Sequence, residues 1–555
     1  MTCSALLHYY RETMWQQNYS PLGSLWLSAL IAALPVFALL YLLGVRRKPA
    51  WMAALSGLAA AIAVAALAYK MPLGLAISAT AYGAAFGLFP IGWIVFWAIL
   101  LYRLTLETGS FEIVKDSVGS LTTDRRLQAL LIAFAFGAFI EGAAGFGTPV
   151  AVAAAMLTGL GFSPFYAAGI CLLANTAPVA FGSIGIPVVT LAGITGLPLQ
   201  ALSTWVGRIC APVSLFVPSY LVLVMGGWGA LRGVLPAALA CGAAFAGAQF
   251  YVSNYIGPQL TDILSSLAAI GSLVLLLKLW KPKSSFRPPG ESAESEERLA
   301  SIRRHPAGRV VRAWSPYLLL VLFVLLWGQD AIKKPLNSVT AVFEWPGLHG
   351  RIERVAPAVA QPAPYAALFR LDWMAASGTA CLLAALAAAA VLRVPPAKFG
   401  RIFVTTARQL GLSMLTVAAV LGLAFLMNYS GATATLGLAF AATGALFPFF
   451  SAMLGWLGVF LTGSDTSANA LFGNLQVVTA TKLNLSPVLM AASNSSGGVM
   501  GKMISLQSIA VAAAATGMKP EDESKLFRFT LRHSIFLASV LGLIVFCYSH
   551  FLFGH

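Results

Sequence analysis

Three ionisable side chains, Glu141, Asp465 and Lys502, stand in stretches that are otherwise apolar enough for the interior of a lipid bilayer. Of the 19 acidic residues, we expect only these two to be deep within apolar sequence, and Lys502 is the one comparable base. A charge at the centre of a membrane helix costs about 2.5–3.5 kcal/mol even on the mild insertion scale, so such a residue usually has a function. The structural alternative is that Asp465 and Lys502 only pair to hold two helices together.

Helix-breaking residues surround both acids. In "EGAAGFGTP" three glycines follow Glu141, and Thr148-Pro149 is typical of a helix start. In "TGSDTSANALFGN" Asp465 lies among hydroxyl and amide side chains. We predict two half-helices that meet at a polar tip in each segment, because unwound backbone is tolerated in a membrane only inside protein or beside a water-filled cavity. The N-terminus of each second half-helix would favour an anion. Close packing through small residues is the alternative explanation of the glycines.

A second interrupted segment follows each tip, in "ANTAPVAFGSIGIP" and in "SNSSGGVMGK". Their hydroxyl and amide groups suit a small hydroxylated ligand, and hydrogen bonds between helices are the alternative. One lysine and two helix N-termini can balance one carboxylate, which favours a small monocarboxylate as substrate. The predicted substrate-binding residues are Thr148, Asn175, Thr176, Thr466, Asn469, Asn494, Ser495, Ser496 and Lys502.

Glu141 and Asp465 are the predicted proton-coupling residues. Burial of a carboxyl group favours its protonated form, so such a group can take up and release a proton during a transport cycle. Sodium bound by backbone carbonyl groups at the same breaks is the alternative. We expect no catalytic residue, no metal and no cofactor.

The elements that must position these residues are membrane helices. The chain has 555 residues, of which 59% are hydrophobic and 10% charged, and about 20 apolar residues suffice to cross the hydrocarbon as a helix. The predicted fold is an all-α polytopic membrane protein with about 12 transmembrane helices and two re-entrant helical hairpins. The first span is too long for a signal peptide and is expected to be a permanent anchor. The spans are expected at about 22–44, 51–69, 80–102, 164–187, 205–225, 229–250, 258–280, 313–329, 373–392, 402–427, 486–512 and 533–553.

The basic residues report topology. A net charge of +16 could suggest nucleic acid, but the Lys and Arg residues lie between apolar spans, so no nucleic-acid partner is expected. Placing the Arg46-Arg47-Lys48 turn in the cytoplasm puts most of the 35 Lys and Arg residues inside and both termini outside. This topology needs residues 127–160 and 450–481 to be re-entrant, although two full spans in each would give the same termini. Residues 431–447 are expected at the outer interface, and the parity changes if they cross.

An internal repeat organises the chain. "GFSPFYAAGICLLANTAP" superposes on "NLSPVLMAASNSSGGVMG", with Pro487 lying 323 residues after Pro164. We predict a first repeat at 1–280, with the hairpin near 127–160 and a broken helix near 164–187. A cytoplasmic linker is expected at 281–312. The second repeat is expected at 313–555, with the hairpin near 450–481 and a broken helix near 486–512. Such inverted halves are typical of transporters. The linker and an outer loop at 330–370 are expected to be flexible tethers.

Other classes of function fit less well. The six cysteines are scattered without metal-ligand spacing and are expected to be core residues. A membrane hydrolase could use Ser495 with Lys502, but the surrounding sequence lacks hydrolase motifs. "GAAGFG" lacks the Lys and Ser/Thr of a phosphate loop. A passive anion channel would keep the polar tips but would need neither inverted halves nor a titrating acid.

The segments "EGAAGFGTPVAVAAAMLTGLGFSP", "LLANTAPVAFGSIGIPV", "TGSDTSANALFGNLQ" and "SNSSGGVMGKMISLQSIAVA" resemble those of the lactate permease family of bacterial proton symporters, and the resemblance covers nearly the whole chain. It implies uptake of L-lactate, D-lactate or glycolate with a proton across the bacterial inner membrane. It also implies kinship with a wider ion-transporter superfamily, in which paired re-entrant hairpins enclose the substrate and a transport domain moves against a scaffold. A homodimer is considered as the assembly. The resemblance supplies no map of residue roles.

Overall fold

The computed structural model describes residues 14–145, 147–283, 286, 305–359 and 361–553. The part that precedes the first hairpin is helical after a short N-terminal strand. Long apolar runs interrupted by Gly and Pro set the helix boundaries, and breaks inside them are short π-helical turns at Val64–Ala68 and Gly87–Gly92. The helices are α1 (Leu25–Gly44), α2 (Ala50–Ala63), α3 (Leu73–Phe86), α4 (Trp93–Glu107) and α5 (Ser110–Gly119).

The first hairpin and the segment after it come next. Its first arm is continuous from α6 (Arg125–Gln128) through a π-helical stretch (Ala129–Phe136) into α7 (Gly137–Ala143), and its second arm is α8 (Thr148–Gly159). Arg125 Nη1 donates a hydrogen bond of 2.7 Å to the carbonyl of Leu160, which joins the two open ends. The following elements are α9 (Pro164–Ala174), a 3₁₀ turn (Val179–Phe181), α10 (Gly182–Thr195), α11 (Leu199–Tyr255) and α12 (Thr261–Leu279).

Helix α11 is two antiparallel arms. The backbone leaves helical geometry at Gly226 and Gly227, where φ of Gly227 is 66°. Gly242 of the second arm packs on the backbone of Leu215 in the first, so the chain has reversed direction. The separate spans predicted at 205–225 and 229–250 are therefore confirmed.

The second half is also mainly helical. Its helices are α13 (Ala307–Gly328), α14 (Asp330–Asn337), α15 (Ser377–Val391), α16 (Pro396–Ser430), α17 (Ala432–Phe440), α18 (Phe447–Thr462), α19 (Asp465–Lys482), α20 (Pro487–Lys502), α21 (Leu506–Thr516) and α22 (Pro520–Phe553), with a 3₁₀ segment at Ala441–Leu446. Helices α18 and α19 are the arms of the second hairpin. The predicted interfacial position of 431–447 stays a prediction, since residues 432–462 also form one apolar helical stretch interrupted at Gly444.

The loop at 330–370 is folded, and the prediction of a flexible tether there was wrong. Besides α14 it contains strands β2 (Ala341–Glu344), β3 (Ile352–Arg354), β4 (Ala363–Pro364) and β5 (Leu368–Leu371). β2 pairs antiparallel with β5, and β3 pairs with β4 and with the N-terminal β1 (Trp15–Gln16). The proline content suggested a flexible loop, but aromatic side chains fix it to the helices. Trp345 and Phe369 both pack on Tyr82 of α3.

The predicted linker at 281–312 is described only in part. Residues 284–285 and 287–304 lie outside the described residues. The end of the predicted linker is helical, since α13 begins at Ala307. His305 Nε2 lies 2.7 Å from Asp116 Oδ2 of α5, so this end is held against the helix before the first hairpin.

The described part of the chain has 11 helical segments long and apolar enough to cross a membrane, or 12 if the bent pair α9 and α10 is one span. This count takes the two arms of α11 as one segment and includes the first arm of each hairpin. The expected count of about 12 is thus confirmed. The segment Arg125–Ala143 differs from the others because its most apolar window is wholly buried in protein, whereas the other windows are 28–67% buried. The first hairpin is therefore enclosed by the rest of the molecule.

The two halves match in their helix boundaries. A displacement of 323 residues carries Leu73–Glu107 onto Pro396–Ser430. These two long helical segments run antiparallel, because Gly83 packs on Leu421 while Gly92 packs on Met414. Each second hairpin arm also contacts the opposite half: Gly147, at the start of α8, lies near Val511 of α21, and Gly473 of α19 lies against Leu191 of α10.

Candidate functional site

The tip of the second hairpin is a tight turn with an acid at its helix start. α18 ends at Gly463, whose φ is 73°, and Ser464 caps α19 by accepting a hydrogen bond of 3.3 Å from the amide of Ser467. Asp465 follows as the first residue of α19 and is 3% exposed. Its Oδ2 accepts from Ser495 Oγ at 2.6 Å and from Asn469 Nδ2 at 3.4 Å, while its Oδ1 has no partner among the described residues.

A buried polar network extends from Asp465 between α19 and α20. Asn469 Nδ2 donates to Ser495 Oγ at 3.1 Å and to the carbonyl of Pro187 at 3.1 Å, and its Oδ1 accepts from Asn494 Nδ2 at 2.9 Å. Asn494 in turn accepts from Gln476 at 3.0 Å. Three of the predicted substrate-binding residues, Asn469, Asn494 and Ser495, are therefore bonded to protein groups and fix the position of Asp465.

The predicted interruption in "SNSSGGVMGK" lies later than expected. Residues 493–502 are continuous helix within α20, and the break falls at Met503–Ser505. The glycines serve close packing, because Gly497 lies on the backbone of Ala452 and Gly501 on the backbone of Trp456. Gly498 lies directly against Asp465 Oδ1. Small-residue packing, the alternative explanation, applies to this segment.

The tip of the first hairpin has a longer non-helical connection than the tip of the second. α7 ends at Ala143 and α8 begins at Thr148, with left-handed glycines at 145 (φ 59°) and 147 (φ 81°). Phe146 of this segment lies outside the described residues. Glu141 is in the last turn of α7 and is 5% exposed, and its Oε2 has no hydrogen-bond partner among the described residues. Gly182 lies so close that an added Cβ would be 2.6 Å from Glu141 Oε1.

The segment that faces this tip is strained. Ser183, Ile184 and Gly185 all have left-handed φ values, of 47°, 60° and 73°. Such a conformation is costly for a β-branched residue and tends to occur at functional sites. Ser183 Oγ donates to the carbonyl of Ala144 at 3.0 Å, which ties the strained turn to the hairpin tip.

The remaining predicted substrate-binding residues differ in their bonding. Thr176 Oγ1 donates to the carbonyl of Leu173 at 2.8 Å. In contrast, both polar atoms of Asn175 and the hydroxyl of Ser496 are buried without partners among the described residues. Thr148 and Thr466 are half-buried in the first turns of the second hairpin arms. Asn175 lies beside Glu141 and Ser496 lies beside the thiol of Cys210, so a ligand bound there would share these polar groups with the protein.

Lys502 lies at the end of α20, is 8% exposed, and donates a hydrogen bond of 2.6 Å to the carbonyl of Gly463 at the second tip. Within the described ranges it forms no ion pair shorter than 4 Å with either predicted acid. It nevertheless lies within electrostatic range of both Glu141 and Asp465. The structure thus brings the three predicted charged residues into one interior region.

A third acid, Asp262 in the first turn of α12, was missed. It is 1% exposed, packs against Gly142 and lies within electrostatic range of Glu141. It lies near the start of the span predicted at 258–280, so the expectation of only two deep acids was wrong. A Thr-Asp pair at the start of an apolar helix was the available signal.

Arg125 and Arg126 are also buried, and Arg126 pairs with Asp124 at 2.7 Å.

A cavity adjoins the second tip. It is narrow, with a volume of about 30 Å³, and has Ser464, Thr466 and Ser467 at one end. Its other walls are apolar residues of the π-helical break, α4, α10, α16 and α19: Ile91, Val95, Ile186, Val417, Val420, Leu421 and Ala470. Hydroxyl groups at a helix N-terminus suit an anion, and the apolar walls suit a small hydrocarbon group.

The membrane-length helices, the enclosed hairpin and the buried charges at two tips define a polytopic membrane protein with the features of a secondary transporter. The family described as L-lactate permease matches residues 28–553, and the chain belongs to this family. The L-lactate permease of Bacillus subtilis is 47% identical over 97% of this chain and 98% of its own. The glycolate permease GlcA of Escherichia coli is 46% identical over 96% of this chain and 97% of its own.

Solved structures give a more distant likeness. The YdaH transporter of Alcanivorax borkumensis matches 85% of this chain and 87% of its own, with 16% identity and a TM-score of 0.44. MtrF of Neisseria gonorrhoeae matches 85% of this chain and 82% of its own, with 13% identity and a TM-score of 0.45.

Proposed function

We propose that the protein is a secondary active transporter that carries small 2-hydroxymonocarboxylates, such as lactate and glycolate, together with a proton across the bacterial inner membrane. The observation that carries this proposal is the convergence of Glu141, Asp465 and Lys502 in one buried region beside two hairpin tips. Buried acids of this kind mark ion and proton pathways in membrane proteins. The names of the relatives, lactate and glycolate permeases, support the substrate class.

The charge balance supports one carboxylate per substrate. Lys502 supplies one positive charge, and the N-terminus of α19 supplies a partial one. A dicarboxylate would need further cations in the same region. Lactate and glycolate differ by one methyl group, and a site that accepts both needs an apolar wall rather than a second polar contact.

We place the substrate in the cavity at the second tip. Its carboxylate would accept hydrogen bonds from Thr466 and from the neighbouring hydroxyls of Ser464 and Ser467, and the methyl group of lactate would lie against Ile91 and Val95. Lys502 would act on the carboxylate from behind the tip, through its contact with Gly463. Thr148 has the equivalent place at the first tip and would serve the substrate when the transporter faces the other side.

The other predicted residues have supporting roles in this proposal. Asn175 and Ser496 offer unpartnered polar atoms to the substrate hydroxyl or to a water molecule. Asn469, Asn494 and Ser495 hold Asp465, while Thr176 ends the helix before the break. Glu141 and Asp465 would carry the coupled proton, because an uncompensated carboxylate in the interior is costly and protonation removes that cost.

Alternating access follows from two inverted repeats, 1–280 and 313–555, in this proposal. The coincidence of Leu73–Glu107 with Pro396–Ser430 and their antiparallel packing support it. Exchange of contacts between the halves, with α8 on α21 and α10 on α19, fits a pseudo-twofold axis. Termini outside the cell and a homodimeric assembly remain parts of the proposal.

Uptake by the purified full-length protein in liposomes tests the function. With a lactate gradient across the membrane, a proton symporter alkalinises the compartment that lactate leaves, and it exchanges labelled for unlabelled lactate. Accumulation that requires sodium and ignores an imposed pH gradient would replace the proton by sodium. Electrical current without exchange would identify a passive anion channel and refute symport.

A further inference from the structure

Asp262 is the least compensated acid of the described interior. It lies in the first turn of α12, is 1% exposed, and neither of its carboxylate oxygens has a hydrogen-bond partner among the described residues. Asp465, in comparison, has one bonded oxygen. An ionised carboxylate buried in this way costs several kcal/mol, so a proton or another cation must neutralise it.

The start of α12 packs directly on the hairpin residue that follows Glu141. A Cβ added to Gly142 would lie 2.8 Å from Asp262 Cβ and 3.1 Å from the amide nitrogen of Ile263. Only glycine allows this approach, and it brings Asp262 within electrostatic range of Glu141. The two carboxyl groups therefore share one buried region although they belong to different elements.

The other elements around Asp262 offer it no charge. The π-helical stretch Ala129–Phe136 contains only apolar residues, and α10 has no ionisable residue. The first arm of α11 contributes the buried thiol of Cys210, which also lies near Ser496. Lys502 acts on Glu141 and Asp465. The groups that titrate close to Asp262 are thus Glu141 and Cys210.

The buried acids in this region outnumber the buried lysine. Glu141, Asp262 and Asp465 bring three negative charges when ionised, and Lys502 brings one positive charge. Two negative charges would then be uncompensated among these four residues. Neighbouring carboxyl groups avoid this cost by sharing a proton, and they titrate as a pair.

We propose that Asp262 is a third proton-coupling acid, which titrates together with Glu141 across the Gly142 contact so that the two carboxyl groups hold one proton between them. Transfer within the pair breaks the O–H bond of one carboxyl as the other carboxyl forms its own, with no change of redox state. The unpartnered oxygens of both residues are the atoms available for this exchange. The proposal rests on the proton coupling proposed above and assigns a further residue to it.

The test compares wild type, Asp262→Asn, Asp262→Glu and a control in liposomes loaded with a pH-sensitive dye. The control is Ser266→Ala, since Ser266 is buried one turn further along α12 and bonds only to its own helix at 2.8 Å. We expect Asp262→Asn to lose about tenfold or more of its pH-driven lactate accumulation, which corresponds to about 1.4 kcal/mol. It should keep lactate exchange and lose the pH dependence of uptake. Asp262→Glu should restore part of the coupling, and Ser266→Ala should resemble wild type.

Two results overturn the proposal. One is pH-driven accumulation in Asp262→Asn equal to wild type with an unchanged pH profile. The other is an infrared comparison, which does not require the variant to transport lactate. The proposal fails if the protonated-carboxyl band of Asp262→Asn is the same as that of wild type. If wild type itself moves no proton with lactate, the proposed proton symport fails. If wild type moves protons with lactate and Asp262→Asn does so equally, only the role proposed for Asp262 fails.

Discussion

The two hairpins hold their acids in different ways. In the second, two residues separate the arms, and Asp465 is fixed by Ser495 at 2.6 Å at the start of α19. In the first, four residues separate Ala143 from Thr148, and Glu141 precedes the break with its Oε2 unpartnered among the described residues. Matching modules thus bond one carboxylate oxygen of Asp465 to Ser495 and Asn469, whereas Glu141 lies against Gly182 at the strained turn.

The two acids should therefore differ in how much their substitution affects the fold and how much it affects proton coupling. Removing the charge of Asp465 disturbs Ser495, Asn469 and the residues bonded to them. Glu141 can gain or lose a proton with little rearrangement of hydrogen bonds. We therefore expect coupling to be most sensitive to Glu141 and stability to be most sensitive to the surroundings of Asp465.

The largest expected effect is that of Glu141→Gln. The amide is isosteric but cannot exchange a proton, so pH-driven lactate accumulation should be abolished while exchange of labelled lactate continues. Asp465→Asn should also impair accumulation. Uptake and exchange in liposomes measure both properties, and full accumulation in both variants would exclude carboxyl coupling at either tip.

The next effect concerns Lys502, which contacts the second tip and lies within electrostatic range of the acids at both tips. Lys502→Ala removes the interior positive charge and the contact with the Gly463 carbonyl. We expect KM for lactate to rise about tenfold, corresponding to about 1.4 kcal/mol. Lys482→Ala is the control, since Lys482 is exposed at the end of α19. An unchanged KM in Lys502→Ala would assign the carboxylate to backbone and hydroxyl donors.

A matched glycine pair sharpens the comparison of the tips. Gly498→Ala would force a methyl group into Asp465 Oδ1 and within 2.7 Å of Val459, and we expect a loss of about 1–3 kcal/mol of stability from such overpacking. Gly182→Ala meets the Glu141 carboxylate, which has no fixed partner at Oε2 and can turn aside. Its loss should be smaller. Thermal unfolding in detergent measures both, and equal losses would contradict a looser first tip.

The smallest expected effect is that of single hydroxyl groups. Thr466→Val removes one of three hydroxyl donors to the substrate carboxylate, and because the remaining hydroxyls and water replace part of that bond, KM should rise by a few-fold. Thr148→Val should have a similar effect for transport in the opposite direction. KM values measured for influx and efflux distinguish them, and equal effects of each variant in both directions would refute separate roles for the two tips.

Many of the helix boundaries could be predicted from the sequence, because long apolar runs and Gly or Pro breaks determine them locally. The span predicted at 258–280 is α12, and that at 402–427 lies within α16. The displacement of 323 residues, taken from two prolines, also matches helices that were not used to find it. The folded loop at 330–370 did not follow, since its strands of two to four residues are stabilised by long-range pairing with β1 and by contacts with Tyr82.

The site was predicted in its charges and less well in its bonding. Glu141, Asp465 and Lys502 stood out because ionisable groups are rare in apolar sequence. Asp262 did not, because a residue near a helix start is usually solvated, and its burial depends on Gly142 of a distant segment. Whether an amide or hydroxyl is free for a ligand also depends on tertiary contacts. Asn175 and Asn494 have similar local sequences, but only Asn494 is bonded to Gln476.

The pairing of β1 with β3 has a practical consequence for handling the protein. Trp15 and Gln16 are the only residues of the first 20 in a strand within the described part, and Gln16 donates to Glu353 at 2.8 Å while Gln17 caps the carbonyls of Asn428 and Tyr429. Affinity tags or truncations that disturb this short strand would remove contacts with two distant segments of the chain, at Glu353 and at Asn428–Tyr429. A tag attached after a spacer that leaves residues 14–19 intact should preserve it.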